Sequence, residues 1–395
     1  MINKAALTQF LKAQIQRATL QEDLGSLNKL RTYAEQLLQA HVRQQQGGQA
    51  TAAQLQLINE VVDDCMGFGP ISPLLGDDRI SEIMVNHFNS VFIEREGQLE
   101  PTSIRFKSEE ELLQVIERIV LPLGRRIDSA QPMVDARLPD GSRVNAVIAP
   151  LALRGACLTI RKFARKALTF TDLLEHKAIS SAAASYLKQM VQARKNVLIV
   201  GGTGTGKTTL LNLLASEVPE NQRIITIEGA AELKLQHANL IALEARPANA
   251  EGRGLVSIRE LLINALRMRP DRIVVGECRG AEALDMLQAM NTGHEGSLTT
   301  LHANSPREAL QRLEVMVMLA GFDMPMHAIR QQIASAIQVI VQISRCSDGR
   351  RVITAISEVL GLESLTYQLS PLFEWQNQAL EKTGVCSEWG DLHGD

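Results

Sequence analysis

A glycine-rich stretch in the second half of the chain has the residue types and the spacing that bind phosphate. The segment GGTGTGKTT, residues 201–209 and here called the P-loop, fits G-x-x-x-x-G-K-[ST] and joins a strand-like run to a helical one. Glycines let backbone N–H groups turn toward phosphate oxygens, and the helix amino terminus adds partial positive charge. In this pattern Lys207 is predicted to reach the β- and γ-phosphates of a nucleotide and Thr208 to hold Mg²⁺. The predicted nucleotide-binding residues are Gly201, Gly202, Thr203, Gly204, Thr205, Gly206, Lys207, Thr208 and Thr209.

Two other apolar runs end in acidic residues. RIVVGE ends at Glu277, and IITIEGAAEL carries Glu228 and Glu232. A carboxylate at the carboxyl end of a parallel strand lies where ligands bind in open α/β sheets, and it can hold the Mg²⁺ shell or orient an attacking water. Thr208 and Glu277 are therefore predicted to hold Mg²⁺, partly through water. Two acid-tipped strands near one P-loop favour hydrolysis over passive binding, although an acid can also simply cap an exposed strand end.

Two histidines, His294 and His302, flank the segment SLTT just downstream of Glu277. A metal site, a nucleic-acid contact and a sensor of bound nucleotide are all compatible with histidines here. A metal site is disfavoured because no cysteine or third histidine lies at ligand spacing. From the residues alone, a histidine such as His302 is more often a hydrogen-bonded core residue.

Composition excludes several classes of protein. The net charge of −3 and the aromatic content of 4% are a poor footprint for nucleic-acid binding as a main task. The five cysteines are scattered and none forms a C-x-x-C pair, which predicts a reduced, cytoplasmic chain. No apolar run approaches the roughly 20 residues that a membrane span requires, so any membrane role is expected to be peripheral.

The elements that must position these residues follow a change of pattern along the chain. Residues 1–60 are predicted to be a helical segment, with helices over 24–42 and 52–68 and a loop at 43–51. Residues 61–165 mix short β-rich runs with one helix and predict an α+β domain, entered through a Gly- and Pro-rich linker, GFGPISPLLGDD. Residues 166–395 open with strands alternating with helices, which predicts an α/β domain with parallel strand pairs.

Several ordered motifs resemble one protein family. GGTGTGKTT, TIEGAAEL, EGRGLVSIRELLINALRMRPDRIVVGECRG and GHEGSLTTLHANSPREALQRLE look like the ATPases of type II and type IV secretion. The resemblance extends upstream through ISEIMVN, RRIDSAQPMVDARLPDGSRVNAV and LTIRKF, covers roughly residues 60–360, and is closest to the ATPases of tight-adherence (Flp-type) pilus assembly. It implies a RecA-like P-loop ATPase domain preceded by a smaller α+β domain.

The resemblance also implies roles for residues and partners. It implies a cytoplasmic homohexamer, peripheral to the inner membrane, that hydrolyses ATP with Mg²⁺ at subunit interfaces and works with inner-membrane platform proteins. Glu277, Glu228 and His302 match the family's second nucleotide motif, its acidic box and its histidine box, and His302 is implied to lie near the γ-phosphate with His294 as a helper. An arginine is implied to act on the transferring phosphoryl group. The candidates are Arg161 and Arg143, followed by Arg246 and Arg267, although RMRPDR around Arg267 also fits a solvated helix end.

One position departs from the family pattern. The acidic box usually reads IEDAAEL, and Gly229 here replaces its aspartate. The change removes a carboxylate beside Glu228 and loosens the backbone. Three functions therefore stay open: a secretion or pilus motor, a P-loop motor on nucleic acid, and a nucleotide-gated structural ring with weak turnover.

Overall fold

The computed structural model describes residues 27–46, 51, 55, 68–163, 168–248, 253–346 and 348–389. The chain divides into two compact units, Met1–Arg165 and Lys166–Asp395. The predicted border between residues 60 and 61 lies outside the described residues.

The first unit begins its described part with helix α1 (Leu27–Gln46). Ala34, Leu38 and Val42 are buried on one face of it, at the four-residue spacing of a helix stripe. The helix predicted over 24–42 is confirmed over its described residues, 27–42, but it continues to residue 46, where a loop was predicted from residue 43. The helix predicted over 52–68 falls almost entirely outside the described residues.

Within its described residues, the first unit is built on a six-stranded antiparallel sheet. Its strands are β1 (Ile80–His87), β2 (Ser90–Arg95), β3 (Gln98–Pro101), β4 (Met133–Arg137), β5 (Arg143–Val147) and β6 (Cys157–Arg161). They lie in the order β3-β2-β1-β6-β5-β4. The predicted linker is instead a 3-10 turn (Gly69–Ile71) and a short helix, α2 (Ser72–Gly76), because Ile71 and Leu74 are buried in this unit's core.

One predicted helix covers this sheet. α3 (Glu109–Val120) begins after Ser108, whose hydroxyl accepts a hydrogen bond from the Glu111 N–H, and three glutamates in its first turn favour that end. Val115 and Ile116 are fully buried in the same core as the strands. The predicted α+β character of this region is thus observed.

The second unit carries, among its described residues, a nine-stranded sheet. Its strands are β7 (Val197–Val200), β8 (Ile224–Glu228), β9 (Leu240–Glu244), β10 (Arg272–Val275), β11 (Leu298–Leu301), β12 (Val339–Arg345), β13 (Arg351–Glu363), β14 (Thr366–Gln376) and β15 (Ala379–Lys382). They lie in the order β15-β14-β13-β12-β7-β11-β10-β8-β9. Pairing is parallel from β12 through β9 and antiparallel from β12 through β15.

Helices cover both faces of this sheet. They are α4 (Phe170–Glu175), α5 (Ser181–Gln192), α6 (Lys207–Ala215), α7 (Ile258–Ala265), α8 (Glu282–Asn291), α9 (Pro306–Leu319) and α10 (Met326–Ala336). Val197 and Ile199 pack in one core with α5 and α6, whereas Leu198 and Val200 pack in another with α7 to α10. A parallel strand covered on both faces is apolar throughout, which explains the continuous run VLIV.

The amino edge of the parallel strands is held by two buried polar side chains. The Asn196 amide accepts from the N–H groups of Gly296 and Ser297 and donates to the Ala336 carbonyl at 2.7 Å. Arg272 is fully buried and donates to the carbonyls of Val191 and Gly296. Burial, and then nearby Arg194, lower its pKa to about 10. Arg272, the last arginine of RMRPDR, is therefore a buried residue that links two backbone carbonyls, and it is not part of a solvated helix end.

Candidate nucleotide-binding and catalytic site

The P-loop lies between β7 and α6, as predicted. Gly204 and Gly206 adopt φ values of +70° and +100°, which residues with a side chain rarely adopt. A Cβ atom on Gly201 would lie 2.3 Å from the Ile343 carbonyl oxygen of β12, so only glycine fits at that close approach. Glycine is thus required at three positions of the loop by backbone conformation or by space.

Lys207 is almost buried at the first position of α6. Its Nζ donates to the carbonyls of Gly201 and Gly202 at 3.1 and 2.8 Å, and lies 3.3 Å from Nδ1 of His302. The Gly201 and Gly202 carbonyls therefore hold the ammonium group against the P-loop, and a phosphate oxygen can replace them as acceptors. The predicted role of Lys207 as a point charge on the phosphates stays a prediction.

His302 follows β11, which pairs in parallel with β7 so that Leu301 lies opposite Val200. Its Nε2 lies 2.7 Å from Oε1 of Glu277. Burial first, and then the charge of Lys207, lower the pKa of His302, so the ring is neutral near pH 7. An ammonium group only donates, so Nδ1 accepts from Lys207, and a neutral ring then carries its proton on Nε2. The approach of Nε2 to Glu277 Oε1 is close but lacks the angle of a hydrogen bond, and within the described residues Oε1 has no hydrogen-bond partner.

Glu277 follows β10, the neighbour of β11, and emerges at the same carboxyl edge as the P-loop. The preceding carbonyl, that of Gly276, accepts a hydrogen bond from the Thr300 hydroxyl at 2.8 Å. Arg279 holds the second carboxylate oxygen, with Nε and Nη2 each 2.6 Å from Oε2. Sequence reasoning missed Arg279, although an arginine two residues after an acid-tipped strand is a signal for such a pair.

Glu228 ends β8, one strand further from the P-loop, and is buried. Its Oε1 accepts from the backbone N–H groups of Glu232 and Leu233 at 2.8 and 3.1 Å. The carboxylate therefore caps the backbone of the segment that follows it, and a catalytic role for Glu228 stays a prediction. Gly229 is exposed and its φ is ordinary, so the missing aspartate is not a consequence of backbone geometry.

His294 does not join His302. It precedes β11, whereas His302 follows it, so the two residues lie at opposite edges of the sheet. The Ser297 hydroxyl donates to the His294 carbonyl at 2.7 Å, close to buried Arg272 and Asn196. The implied role of His294 as a helper of His302 is therefore wrong, because a whole strand separates it from the P-loop edge.

The predicted arginines lie in both units. Arg143 and Arg161 pair across β5 and β6 in the first unit, and Arg161 Nε lies 3.7 Å from Glu82 Oε1. Their action on a phosphoryl group stays a prediction. In the second unit, Arg246 donates from Nε to the Gly254 carbonyl at 2.6 Å, and Arg267 is exposed just after α7.

The oxygen donors at the P-loop edge fit Mg²⁺. The Thr208 hydroxyl stands in the first turn of α6, and Glu277 offers a carboxylate at the same sheet edge. Within the described part of the chain, no group of three or more His, Cys, Asp or Glu residues converges as a metal site would require. One hydroxyl and one carboxylate suit an ion that retains several water ligands and is shared with phosphate, as Mg²⁺ is.

Arg351, at the start of β13, is a further residue that sequence reasoning missed. Its Nε donates to the Gly204 carbonyl at the crest of the P-loop at 2.8 Å. The two residues are 147 positions apart, and no local pattern in the sequence connects them.

Comparisons with known proteins show the family and the fold of the chain. A family model described as "Type II/IV secretion system protein" matches residues 64–386. The chain is 42% identical over 297 residues to a putative conjugal transfer protein of Mycobacterium tuberculosis, covering 74% of this chain and 84% of that one. It is 34% identical over 328 residues to the type IV secretion system protein VirB11 of Bartonella quintana, covering 73% and 90%. The X-ray structure of the Legionella pneumophila ATPase DotB has the same fold, with a TM-score of 0.51 and 24% identity over 74% of this chain and 79% of that one. The predicted α/β fold, a RecA-like domain preceded by a smaller α+β domain, is confirmed.

Proposed function

The chain belongs to the type II/IV secretion system protein family and is an ATP hydrolase, and we propose that it is a motor coupling ATP hydrolysis to pilus assembly or protein secretion across the bacterial inner membrane. The family predicted from the sequence is confirmed. The closer affiliation with tight-adherence pilus ATPases stays a prediction.

The observation that carries the proposal is the linked set of Lys207, His302 and Glu277. His302 and Glu277 follow the adjacent parallel strands β11 and β10, and Lys207 begins α6 after the P-loop that follows β7, the other neighbour of β11. Lys207 Nζ lies 3.3 Å from His302, and His302 lies 2.7 Å from Glu277. Lys207 places positive charge where the β- and γ-phosphates of ATP bind. Arg279 holds Oε2 of Glu277, and Oε1 is left to orient an attacking water. With Thr208, Glu277 would also support Mg²⁺, which would supply charge neutralisation when bound.

Assembly would complete this site. We expect a homohexamer with ATP at the subunit interfaces, where Arg143 or Arg161 of one subunit adds positive charge to the phosphoryl group bound by another. Among the described residues, none of the helices combines the length and the apolar character that membrane crossing demands. The location that we propose from the family is the cytoplasmic side of the inner membrane, against membrane-embedded platform proteins.

Two alternatives differ in how the chemistry is used. Glu228 is bound to backbone N–H groups, and position 229 is glycine, so Glu277 is the remaining candidate acid at the P-loop edge. A single candidate acid favours a nucleotide-gated ring with weak turnover as the second candidate function. A motor acting directly on nucleic acid is disfavoured by the net charge of −3 and the scarcity of aromatic residues. The conjugal-transfer name of one relative describes that protein's apparatus and does not require nucleic-acid contact by this chain.

The test is ATP turnover by the full chain, measured beside its molar mass by light scattering. Lys207→Ala should abolish turnover and leave the fold intact, because it removes the charge on the phosphates. Lys188→Ala is the matched control, since Lys188 lies on α5 in a surface pair with Glu217 at 2.9 Å. Turnover by Lys207→Ala within a few-fold of the parent would contradict the assignment, and a fully active monomer would contradict the ring.

A further inference from the structure

The crest of the P-loop has little packing of its own. Glycines occupy positions 201, 202, 204 and 206, and glycine loses more backbone freedom on ordering than any other residue. Gly204 is exposed, and a Cβ atom built on it would have no neighbour within 4 Å. Contacts from elsewhere are therefore needed to hold its peptide groups in one orientation.

A β-hairpin supplies one such contact. β12 runs parallel to β7, and β13 returns antiparallel beside β12. The turn is closed by the Cys346 N–H donating to the Arg350 carbonyl at 2.7 Å, and the Arg350 side chain pairs with Asp348. Arg351 is the first residue of β13 and donates from Nε to the Gly204 carbonyl at 2.8 Å. The pairing of Arg351 with Arg345 of β12 thus brings the donor to the crest of the loop.

The geometry of the peptide group gives this contact a consequence. The Gly204–Thr205 peptide bond is trans, so the Gly204 carbonyl and the Thr205 N–H point in opposite directions. A donor that fixes the carbonyl toward Arg351 also fixes the Thr205 N–H away from it. In P-loops, backbone N–H groups are the ligands of the phosphate oxygens.

We propose that Arg351 is a positioning residue, which presets the Gly204–Thr205 peptide so that the Thr205 N–H faces the bound phosphate. The inference rests on nucleotide binding by the P-loop. It assigns the effect to hydrogen-bond donation at the Nε position and not to the charge of the guanidinium group. The Thr205 N–H would bind the phosphate equally in the ground state and in the transition state. Loss of the Arg351 contact should therefore lower nucleotide affinity more than kcat.

Two substitutions separate donation from charge. In Arg351→Gln, the amide nitrogen occupies the chain position of Nε and still donates, but the charge is gone; Arg351→Met keeps the length and removes both. Arg351→Met should weaken binding of fluorescent ATP and ADP about tenfold, as expected for loss of one hydrogen bond to a preset group. It should raise KM similarly and leave kcat at saturating ATP within about threefold. Arg351→Gln should stay within about threefold of the parent in both affinities.

Arg350→Met is the matched control, because the neighbouring Arg350 pairs with Asp348 in the same turn at 2.7 Å. It should bind nucleotide like the parent, and all three variants should share the parent's circular dichroism spectrum. Parental affinity in Arg351→Met would overturn the proposal, and so would an equal loss in Arg351→Gln and Arg351→Met, which would assign the effect to charge. Absence of nucleotide binding by the parent would overturn the P-loop assignment as well, so the two failures are distinguishable.

Discussion

Lys207 and His302 are 95 residues apart in the chain, yet Nζ of the lysine lies 3.3 Å from Nδ1 of the histidine. The contact exists because β7 and β11 are adjacent parallel strands that end at the same edge of the sheet. The other ring nitrogen of His302 faces Glu277 at 2.7 Å. A phosphate that draws the ammonium group away from His302 therefore changes the environment of the carboxylate proposed to orient water.

The pH dependence of turnover should report the charge of His302. Its pKa is lowered from 6.5 by burial and by Lys207, and protonation would remove the acceptor at Nδ1 and place two cations together. We expect kcat/KM to fall on the acidic side, with the midpoint of that limb below pH 6.5.

His302→Asn provides the control for that profile. Its turnover should be lower throughout, and its acidic limb should move to the more acidic range where carboxylates titrate. An acidic limb centred above the ordinary histidine pKa, or one that is unchanged in His302→Asn, would contradict the assignment of the limb to this residue.

Replacing the two first-unit arginines should separate catalysis from binding. The double variant Arg143→Ala, Arg161→Ala is expected to lower turnover roughly 10²-fold, while nucleotide affinity changes little, because charge on the transferring phosphoryl group acts mainly in the transition state. Steady-state turnover and equilibrium binding measure the two effects.

The control is Arg126→Ala, Arg154→Ala, which removes two exposed arginines from the same unit. Equal turnover in the two double variants would eliminate Arg143 and Arg161 as the residues that act on the phosphate.

Restoring the missing acid should raise turnover. Gly229 is exposed, its φ is ordinary, and a Cβ atom there would meet Ile258 Cδ1 at 3.7 Å, an ordinary contact distance. Gly229→Asp is therefore tolerated sterically, and we expect faster hydrolysis with little change in nucleotide affinity, because an added carboxylate acts mainly in the transition state.

Two references frame that comparison. Glu277→Gln sets the rate without the acid at the P-loop edge, and Gly229→Asn supplies the same shape without charge. A parent that matches Glu277→Gln while Gly229→Asp is active would favour the nucleotide-gated ring. An equal gain in Gly229→Asn would show that backbone stiffening, and not the carboxylate, is responsible.

The free energy of unfolding should depend strongly on Gly296, the glycine that packs against Arg272. A Cβ atom on Gly296, where φ is +80°, would lie 1.4 Å from Arg272 Nη1, so Gly296→Ala must displace a fully buried guanidinium group. Gly293→Ala is the matched control, since its φ is +93° but a Cβ atom there meets nothing within 4 Å. We expect Gly293→Ala to lower the free energy of unfolding by about 1–2 kcal/mol through the left-handed conformation alone.

Gly296→Ala should cost a further 3 kcal/mol or more, roughly the penalty for leaving a buried charge without its partners. Denaturant unfolding of the second unit measures the free energy of unfolding of both variants. Similar midpoints for the two alanine variants would show that buried Arg272 contributes little.

Local features of the site were predictable because neighbours in sequence create them. The P-loop needs only a strand, a glycine-rich turn and a helix in succession, and residues 196–218 contain all three. The strand–helix alternation from β7 to β11 follows from apolar runs that differ in length and period. The antiparallel strands β12 to β15 were not predicted, and neither were the roles of Arg279, Arg272 and Arg351.

The amino-acid sequence by itself determined the nucleotide loop, the acid-tipped strands and the family. Tertiary structure decided which of these residues meet, because the order β12-β7-β11-β10-β8 is set by sheet pairing between segments far apart in the chain. That order puts His302 beside Lys207 and leaves His294 at the opposite edge. The pairing of β13 with β12 brings Arg351 to Gly204, whereas the backbone contacts of Glu228 with Glu232 and Leu233 are local in sequence. The types and spacing of residues specify what chemistry is available, whereas packing of distant strands specifies which groups are close enough to perform it.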